Sequence, residues 1–408
     1  MKLFLLLILF EKQEQLCYTV FKEAEKKIST THKYKRMFFG LQKSYFLGID
    51  FGTSLIKVVE LTLDGDEPKL HNYGQVDLLR LEKGAVSDGN TYDDEVVLYL
   101  KALLERFHAK GDAAYVAMPA FIGLISLMEL PEMNEDELKE AIPFEAHKYI
   151  PSSLDDVALS WEVVGRREAT ETSAAKMEVL LVAALKKEVA RYRGYIEGAK
   201  LKMTFLELET FSLVRSVVGN DPGLFLVIDI GSRTTNLVLV DEGVVKMSRN
   251  IDAGGKNITR TLTESLHVTV ERAEALKKSD RDYLNVLPGA LTFSTLDIIA
   301  DEATRMLAAY KTKHSDKACN GILLSGGSAS LTGLVQYYSK VFKLPVSIGD
   351  PWRRVKHEAA AALDIKRLGT SFSIALGLAL AGIDSGAPKK YQPAKKTFSL
   401  SALLHKKI

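Results

Sequence analysis

Apolar and polar positions follow two periods along the chain, one typical of strands and one typical of helices. On both sides of Gly52, from Tyr45 to Leu61, β-branched and aromatic residues dominate, which predicts two strands joined by a turn. From Asp94 to His108, apolar residues recur at helical spacing, which predicts an amphipathic helix. Its expected apolar face is formed by Val97, Leu98, Leu100, Leu103, Leu104 and Phe107.

The same two patterns predict the remaining elements. Strands are expected at 113–118, 122–130, 158–164, 177–184, 227–230, 236–240, 244–249 and 321–324. Helices are expected from about Glu135, capped by Asn134, and at 187–199, 295–313, 334–342 and 371–382. Pro143 is expected to kink the first of these helices. The segment 371–382 is almost entirely apolar but shorter than the roughly 20 residues that span a bilayer, which predicts a buried helix.

One short pattern occurs twice. Residues 49–53 read IDFGT and residues 228–232 read IDIGS, and an apolar run follows each at the same spacing. In each copy a buried strand ends in an aspartate, and a glycine followed by small hydroxyl residues permits a sharp turn with backbone N–H groups facing outward. A single Asp-Gly turn is commonly a hairpin. Two copies predict a duplicated fold that forms a phosphate clamp in two halves.

Length and composition agree with two lobes. A chain of 408 residues fits two or more domains, each large enough for its own apolar interior. Its hydrophobic content of 47%, charged content of 26% and net charge of +2 are those of an ordinary globular protein, without a general attraction to nucleic acid. Two cysteines, Cys17 and Cys319, are too few for a disulfide framework and favour a reducing compartment, by default the cytoplasm.

The N-terminal segment combines an apolar run with a charged stretch. Residues 3–10 form an unbroken apolar run, as in a signal sequence, but Glu11 and Lys12 follow at once and no small-residue cleavage site is present. Secretion is therefore not expected. Our hypothesis is that translation starts at Met37, just before the first strand. The alternative is a short extension that is disordered or touches a membrane.

The order of four motifs resembles that of the actin-like ATPase superfamily. They are Asp50-Phe-Gly-Thr, Asp229-Ile-Gly-Ser-Arg-Thr-Thr, Gly254-Gly255 and Gly326-Gly327. Within the superfamily, the chain from about Phe46 to Ile383 resembles the PilM family of type IV pilus assembly ATPases. The matching motifs are Ala117-Met118-Pro119, Leu130-Pro131, the segment from Glu137 to Pro151, and Gly377-Leu378-Ala379-Leu380. It resembles the cell-division protein FtsA more distantly, and residues before Phe38 depart from the family.

This resemblance implies an α/β fold: an actin-like (ribonuclease H-like) duplicated two-lobe ATPase with a small α+β insert of FtsA type. The expected divisions are an N-terminal extension at 1–43, the first lobe at 44–83 and 166–221, and the insert at 84–165. The second lobe is expected at 222–257, 258–317 and 318–366, with a return to the first lobe at 367–384 and a basic tail at 385–408.

The resemblance also implies ATP and Mg²⁺ as cofactors. The first clamp would hold the β- and γ-phosphates with Asp50, Gly52, Thr53, Ser54 and Lys57, and Asp50 would lie near Mg²⁺, usually through water. Lys57 could instead be a solvated strand lysine. The second clamp would consist of Asp229, Gly231, Ser232, Thr234 and Thr235, with Asp229 ordering metal-bound water.

Adenosine contacts are implied for a third group of residues. Gly254 and Gly255 open a helix, and Glu274 and Lys277, with Glu271, are expected on that helix and would contact the ribose and adenine. The alternative for the Glu274–Lys277 spacing is a surface salt bridge. The base would lie against Gly326, Gly327 and Ser328, where a Cβ at either glycine would obstruct it.

Glu209 is the candidate for orienting water during hydrolysis. It precedes an apolar helix where heat-shock chaperone ATPases keep a glutamate, although Thr210 follows it here in place of proline. The alternative is a glutamate that merely favours the helix dipole. Slow or absent turnover is therefore compatible with this sequence.

The function implied by the resemblance is a cytoplasmic, nucleotide-dependent scaffold, peripheral at the inner membrane. Its insert would bind the N-terminal peptide of a PilN-like inner-membrane protein, and Tyr149, Ile150 and Pro151 would support that peptide. Other pilus assembly proteins and self-association are further expected contacts of the protein. For those three side chains the alternative is helix termination and local core. Two other functions stay open: a small-molecule kinase of the superfamily, and a filament former like FtsA or MreB.

Overall fold

The computed structural model describes residues 44–78, 90–150, 153–169, 174–286, 289–358, 365 and 368–386. Predictions for the extension before residue 44, including a start at Met37, for Pro151, and for the tail after 386 lie outside the described residues. The described residues from Tyr45 onward belong to one compact unit.

Most strands and helices lie where the periodicity of the sequence predicted them, but three strands, at Glu67–Asp77, Lys202–Leu208 and Val346–Ile348, were not predicted. The strands are β1 Phe46–Phe51, β2 Leu55–Asp64, β3 Glu67–Asp77, β4 Ala113–Met118, β5 Gly123–Pro131, β6 Val157–Arg167, β7 Lys176–Leu185, β8 Lys202–Leu208, β9 Phe225–Ile230, β10 Thr235–Asp241, β11 Val244–Ile251, β12 Gly321–Ser325 and β13 Val346–Ile348. The helices are α1 Tyr92–Phe107, α2 Glu135–Ala146, α3 Lys186–Gly198, α4 Glu209–Val217, α5 Gly255–Leu266, α6 Val270–Lys277, α7 Ser294–Lys313, α8 Leu334–Phe342 and α9 Ser373–Gly386.

Two five-stranded sheets have the same topology. The first lobe is built on the order β3-β2-β1-β4-β8 and the second on β11-β10-β9-β12-β13. In each, the first three strands in chain order are antiparallel neighbours, and the next two add in parallel on the other side of the central strand. The two sheets therefore superimpose strand for strand in connectivity, which is what the repeated aspartate-glycine pattern predicted.

The insert is a separate three-stranded sheet in the order β5-β7-β6, and helix α2 packs on it. The strands of this sheet do not coincide with the predicted insert limits of 84–165. Strand β4 pairs with β1 and β8 of the first lobe, and β7 pairs with both other strands of the insert. Alternating apolar residues show that a segment is a strand, but not which sheet will accept it. The insert sheet therefore runs from Gly123 to Leu185.

Helix α1 begins at a capping box, in which the Thr91 side chain accepts the N–H of Asp94 and the Asp94 carboxylate accepts the N–H of Thr91. Its buried face differs from the predicted one. Leu98 is 48% exposed, whereas Val96 is buried. The middle of this helix is apolar on all sides, so periodicity alone could not choose the face.

Helix α2 begins at the predicted cap. The Asn134 side chain accepts N–H groups from Asp136 and Glu137, and Glu137 completes the capping box. The helix continues through Pro143 and ends at Ala146. Pro143 has no N–H to donate to the Lys139 carbonyl, so the helix continues with one hydrogen bond fewer.

Helix α9 follows the second lobe in the chain but packs on the first. A Cβ at Gly377 would lie 2.0 Å from the carbonyl oxygen of Ser212 on α4, so only glycine permits this approach. The helix is buried along Ala375–Leu380, as predicted for this apolar segment. Among the residues described, no helix combines the length and apolar character needed to cross a bilayer.

Candidate functional site

The two predicted clamps are turns of the same geometry. The Gly52 N–H donates to the carbonyl of Leu55 at 3.0 Å, and the Gly231 N–H donates to the carbonyl of Thr234, also at 3.0 Å. Each glycine therefore closes its own turn. Backbone N–H groups that face a ligand have to come from the residues after each glycine, and not from the glycines themselves.

The two turns meet across the boundary between the lobes. The Ser54 hydroxyl donates to the Ser232 hydroxyl at 2.8 Å, although the two serines are 178 residues apart. Thr53 lies beside Ser54 and is partly exposed. Thr235, in contrast, is buried and donates its hydroxyl to the carbonyl of Ala253 at 2.7 Å, so it stabilises the second lobe from within.

Asp50 and Lys57 face each other on the paired strands β1 and β2. The Lys57 ammonium lies 3.9 Å from a carboxylate oxygen of Asp50, and its side chain is only 15% exposed. A solvated strand lysine, the alternative left open by the sequence, would be far more exposed. Lys57 therefore brings a positive charge to the acidic end of the first turn.

Two buried aspartates lie at the ends of equivalent strands. Burial raises the pKa of Asp50 to about 6; the charge of Lys57 opposes this rise and the charge of Asp229 adds to it. Burial also raises the pKa of Asp229, against a hydrogen bond with Ser325 and the charge of Lys57. The pair is therefore short of positive charge and suited to accept a cation.

Glu209 joins this acidic group from the first turn of α4. Loss of surrounding water raises its pKa to about 8, and the charges of Asp50 and Asp229 contribute to the rise. The Ala120 N–H donates to its Oε1 at 3.0 Å and acts against the rise. Glu209 therefore lies within the electrostatic influence of both strand-end aspartates.

No group of three or more His, Cys, Asp and Glu side chains within the described part of the chain is arranged to hold a metal ion. This arrangement still fits Mg²⁺ on a nucleotide. That ion keeps several waters and uses one or two carboxylates together with phosphate oxygens, so a pair such as Asp50 and Asp229 is an adequate protein contribution.

Gly254 and Gly255 begin α5 directly against the second turn. The N–H groups of Gly255 and Lys256 donate to the carbonyls of Gly231 and Ser232 at 2.9 and 2.8 Å. Gly254 donates its N–H to the side chain of Asn257 at 3.0 Å. The start of this helix is therefore fixed to the clamp by its own backbone.

Glu271, Glu274 and Lys277 do not lie on the helix that starts at Gly255, as the sequence had suggested. They lie on the separate helix α6, because the left-handed His267 and the cap residue Thr269 end one helix and start the next. The spacing of Glu274 and Lys277 is helical whether or not a break separates them from Gly255, so the sequence pattern did not reveal it. Glu271 is exposed there, whereas Glu274 is half-buried.

The Lys277 ammonium has three acceptors, which matches its three N–H donors. It donates to the carbonyl of Gly255 at 3.2 Å, to the Thr259 hydroxyl at 2.8 Å and to Glu274 Oε1 at 2.7 Å. Thr259 also hydrogen-bonds Glu274. Lys277 is thus a buried connector of α5 and α6, and the alternative of a surface salt bridge does not describe this pair.

A third glycine turn follows β12. Gly326 has φ +86°, and a Cβ there would lie 2.4 Å from the carbonyl oxygen of Ile230, so this glycine is required by the turn itself. Gly327 is exposed, and a Cβ there would meet no atom within 4 Å. Ser328 is buried beside Gly255. Only Gly327 therefore leaves open space of the kind that a base could occupy.

Sequence reasoning missed two residues at the boundary between the lobes. Asn236 donates from its side-chain amide to the Thr210 hydroxyl at 3.1 Å, and both residues are buried. A signal was present in each case. Asn236 is an amide inside an otherwise apolar strand, and Thr210 replaces a proline.

The insert presents an acidic groove with an exposed aromatic ring. A cavity of about 550 Å³ is lined by Glu132, Met133, Glu137, Glu140, Ala141 and Phe144. Phe144 is 72% exposed. Of the residues predicted to support a partner, Tyr149 is exposed, but Ile150 is packed in the core of the insert.

Comparison with known proteins agrees with this geometry. The sequence profile of the type IV pilus assembly protein PilM matches residues 48–383. Cell division protein FtsA of Neisseria meningitidis serogroup B is 22% identical over 353 residues, which cover 76% of this chain and 84% of that protein. FtsA of Pseudomonas aeruginosa is 21% identical over 348 residues, covering 75% of this chain and 83% of that protein.

Among solved structures, a PilM-PilN type IV pilus biogenesis complex aligns with a TM-score of 0.66 at 22% identity, covering 83% of this chain and 98% of the other. This alignment and the two matching sheets confirm the predicted actin-like two-lobe fold. Since the profile spans most of the chain from β1 to α9, this protein belongs to the PilM family of type IV pilus assembly proteins.

Proposed function

We propose that this protein binds MgATP between its lobes and that the bound nucleotide controls how its insert binds an inner-membrane protein of the PilN type. In this proposal the protein is a cytoplasmic scaffold of the type IV pilus machine, peripheral to the inner membrane. The observation that carries the proposal is the Ser54–Ser232 contact, because it brings two glycine turns with the same backbone hydrogen bond together from separate lobes.

The residues around this contact suit a nucleotide triphosphate. Thr53, Ser54 and Ser232 offer small hydroxyl groups, and Lys57 adds positive charge. Asp50 and Asp229 are the candidates to hold Mg²⁺ through water, and Gly327 leaves room for a base. When bound, Mg²⁺ would offset the phosphate charge that these aspartates otherwise repel.

Hydrolysis, in this proposal, is slow. Glu209 is the residue that would orient the attacking water, and it must be ionised to accept a proton from it. A pKa of about 8 leaves much of this carboxyl protonated at neutral pH. Its Oε1 is also engaged by the Ala120 N–H. Because hydrolysis is slow in this proposal, the ATP-bound state persists and the protein acts as a switch between two nucleotide states.

The partner surface is assigned to the insert. A PilM-PilN complex is the solved structure that supports a partner of this type. The groove along α2 combines Glu132, Glu137 and Glu140 with the exposed ring of Phe144. Its complement is a peptide with basic and apolar side chains.

Isothermal titration of the full chain with MgATP tests the nucleotide site. We expect binding by the unmodified protein and at least about tenfold weaker binding by Asp50→Asn, because the variant removes one charge at the proposed Mg²⁺ position. Asp66→Asn, in the exposed turn between β2 and β3, is the matched control and should bind normally. A flat titration of the unmodified protein would contradict the proposal.

The partner is tested by retention from detergent-solubilised native membranes, with and without MgATP. We expect tagged protein to retain a small inner-membrane protein through its cytoplasmic N-terminal peptide, with a yield that depends on MgATP. Phe144→Ala should lose this protein, whereas Leu98→Ala, an exposed leucine on α1, should keep it. Recovery of soluble material alone would favour the kinase alternative and call for a phosphate-acceptor screen.

A further inference from the structure

Three parts of the molecule meet at the first two residues of α4. Glu209 accepts the N–H of Ala120 at 3.0 Å, and Ala120 begins the short 3₁₀ helix Ala120–Ile122 that leads directly into strand β5 of the insert. The next residue, Thr210, accepts the side-chain N–H of Asn236 at 3.1 Å, from strand β10 of the second lobe. Consecutive residues of the first lobe therefore hold the insert on one side and the second lobe on the other.

Asn236 is tied to the nucleotide clamp. It lies opposite Asp229 in the pairing of β9 with β10, and its side-chain oxygen accepts the hydroxyl of Ser248 at 3.3 Å. With both ends of the amide engaged, its orientation is fixed. Because Thr210 and Asn236 are buried, either would be left unsatisfied if the hydrogen bond broke, which is costly. A movement of the strand that carries Asp229 therefore displaces Thr210 through the Asn236 hydrogen bond.

The entry of the insert is packed against the same point. A Cβ at Gly123, the first residue of β5, would lie 2.7 Å from the side-chain methyl groups of Leu208, which directly precedes Glu209. The start of the insert and the start of α4 are therefore closely packed, with no room for an added side-chain atom at Gly123. Since packed interiors transmit displacement, a shift of residues 208–210 is passed to β5.

The insert has a second attachment, made directly by the second lobe. The Lys246 ammonium on β11 lies 2.7 Å from Glu178 Oε2 on β7, and both side chains are largely buried. Glu178 is also 3.6 Å from Arg167 of the insert. With attachments at Glu209 and at Lys246, a change in the angle between the lobes must either move the insert or break one of them.

From this geometry, and resting on the proposed function, we propose that Glu209 and Thr210 form a relay between the clamp and the insert. Through it, the position of the second lobe, set by the nucleotide, determines the position of the insert sheet and so the surface offered to a partner. Thr210 is a positioning residue in this scheme. It acts through Asn236 and needs no contact with nucleotide.

Amide hydrogen exchange of the full chain, with and without MgATP, tests the relay. In the unmodified protein we expect MgATP to slow exchange in both glycine turns and to change exchange across β5, β6 and β7. Thr210→Val keeps the shape of the side chain but loses the hydroxyl, and should keep the response of the turns while the insert response falls by about 2- to 30-fold. Thr210→Ser retains the hydroxyl and should restore the insert response.

A merely structural role for Thr210 would lower stability without separating the two responses. An insert response that is unchanged in Thr210→Val, or absent in the unmodified protein while the turns respond, overturns the relay alone. Absence of any response in the turns of the unmodified protein overturns the proposed function and the relay with it.

Lys246→Gln provides a second measurement if Thr210→Val folds poorly. It removes the other attachment of the insert and leaves the contact with Glu209 in place. We expect faster exchange around Glu178 and a MgATP response in β7 reduced by about 2- to 30-fold. An insert response equal to that of the unmodified protein would contradict a two-point attachment.

Discussion

The hydroxyl groups of Ser54 and Ser232 are hydrogen-bonded at 2.8 Å and join the glycine turns of two lobes that share one topology. A phosphate that accepts the Ser54 hydroxyl proton would have to replace this bond, because a hydroxyl has only one proton to donate. The serine pair is therefore both a contact between the lobes and the expected point of entry for a nucleotide.

Replacing the two serines should show this double role. Ser54→Ala and Ser232→Ala are each expected to lower the free energy of unfolding without nucleotide by about 0.5–1.5 kcal/mol. The double variant should lose less than the sum, since both changes remove one bond. Urea unfolding of the unmodified protein, the two single variants and the double variant measures these losses. Strictly additive losses would argue against a direct bond. In titrations, each variant should bind MgATP more weakly.

Glu209 should make stability fall as pH rises. Its pKa is raised from an ordinary 4.5 to about 8 in the folded protein, so the folded state holds the proton more tightly than the unfolded state between these values. The stabilisation is fully present below about pH 4.5 and is lost as pH increases toward 8. Glu209→Gln should remove this part of the pH dependence, which is on the order of 5 kcal/mol over the whole range, in urea unfolding at several pH values without nucleotide.

Glu105→Gln, at an exposed position on α1, is the matched control and should retain the pH dependence of the unmodified protein. Asp50 acts in the same direction over a lower range, from its ordinary 3.8 to about 6. Equal pH slopes for Glu209→Gln and the unmodified protein between pH 6 and 8 would show that Glu209 does not carry this proton.

Lys277 should matter more for stability than a surface lysine does. Lys277→Met leaves the Gly255 carbonyl and the Glu274 carboxylate without their shared donor, and we expect a loss of about 2–4 kcal/mol in the free energy of unfolding. Lys278→Met, at the exposed neighbouring position, should change it by less than about 0.5 kcal/mol. Similar losses for the two variants, measured by urea unfolding, would instead support the alternative that Lys277 forms only a surface salt bridge with Glu274.

Replacing the two glycines after β12 by alanine should affect thermal stability very differently. Gly326→Ala forces a Cβ against the Ile230 backbone at positive φ, so it should lower thermal stability markedly with or without nucleotide. Gly327→Ala meets only open space and should leave stability nearly unchanged. If the base lies against this position, the same variant should weaken MgATP binding in a titration. Unchanged affinity in Gly327→Ala would place the base elsewhere.

Much of the fold could be predicted because it depends on short-range chemistry. Glycine and small hydroxyl residues after an aspartate define both turns, and Asn134 with Glu137 defines the start of α2. Apolar periodicity located α8 at its observed limits. In each case the backbone conformation is selected by residues within one turn or one strand of each other, so the information is local.

The duplicated turns, most of the elements and the family motifs could therefore be identified from the amino-acid sequence. The pairing of β4 with the first-lobe strands, the burial of Lys277 between α5 and α6, and the contact of Thr210 with Asn236 became visible only in the folded chain. These relationships join residues far apart in the chain, and they depend on which apolar faces pack together. Periodicity describes one element at a time, whereas the pairing of elements is selected by the packing of the whole domain.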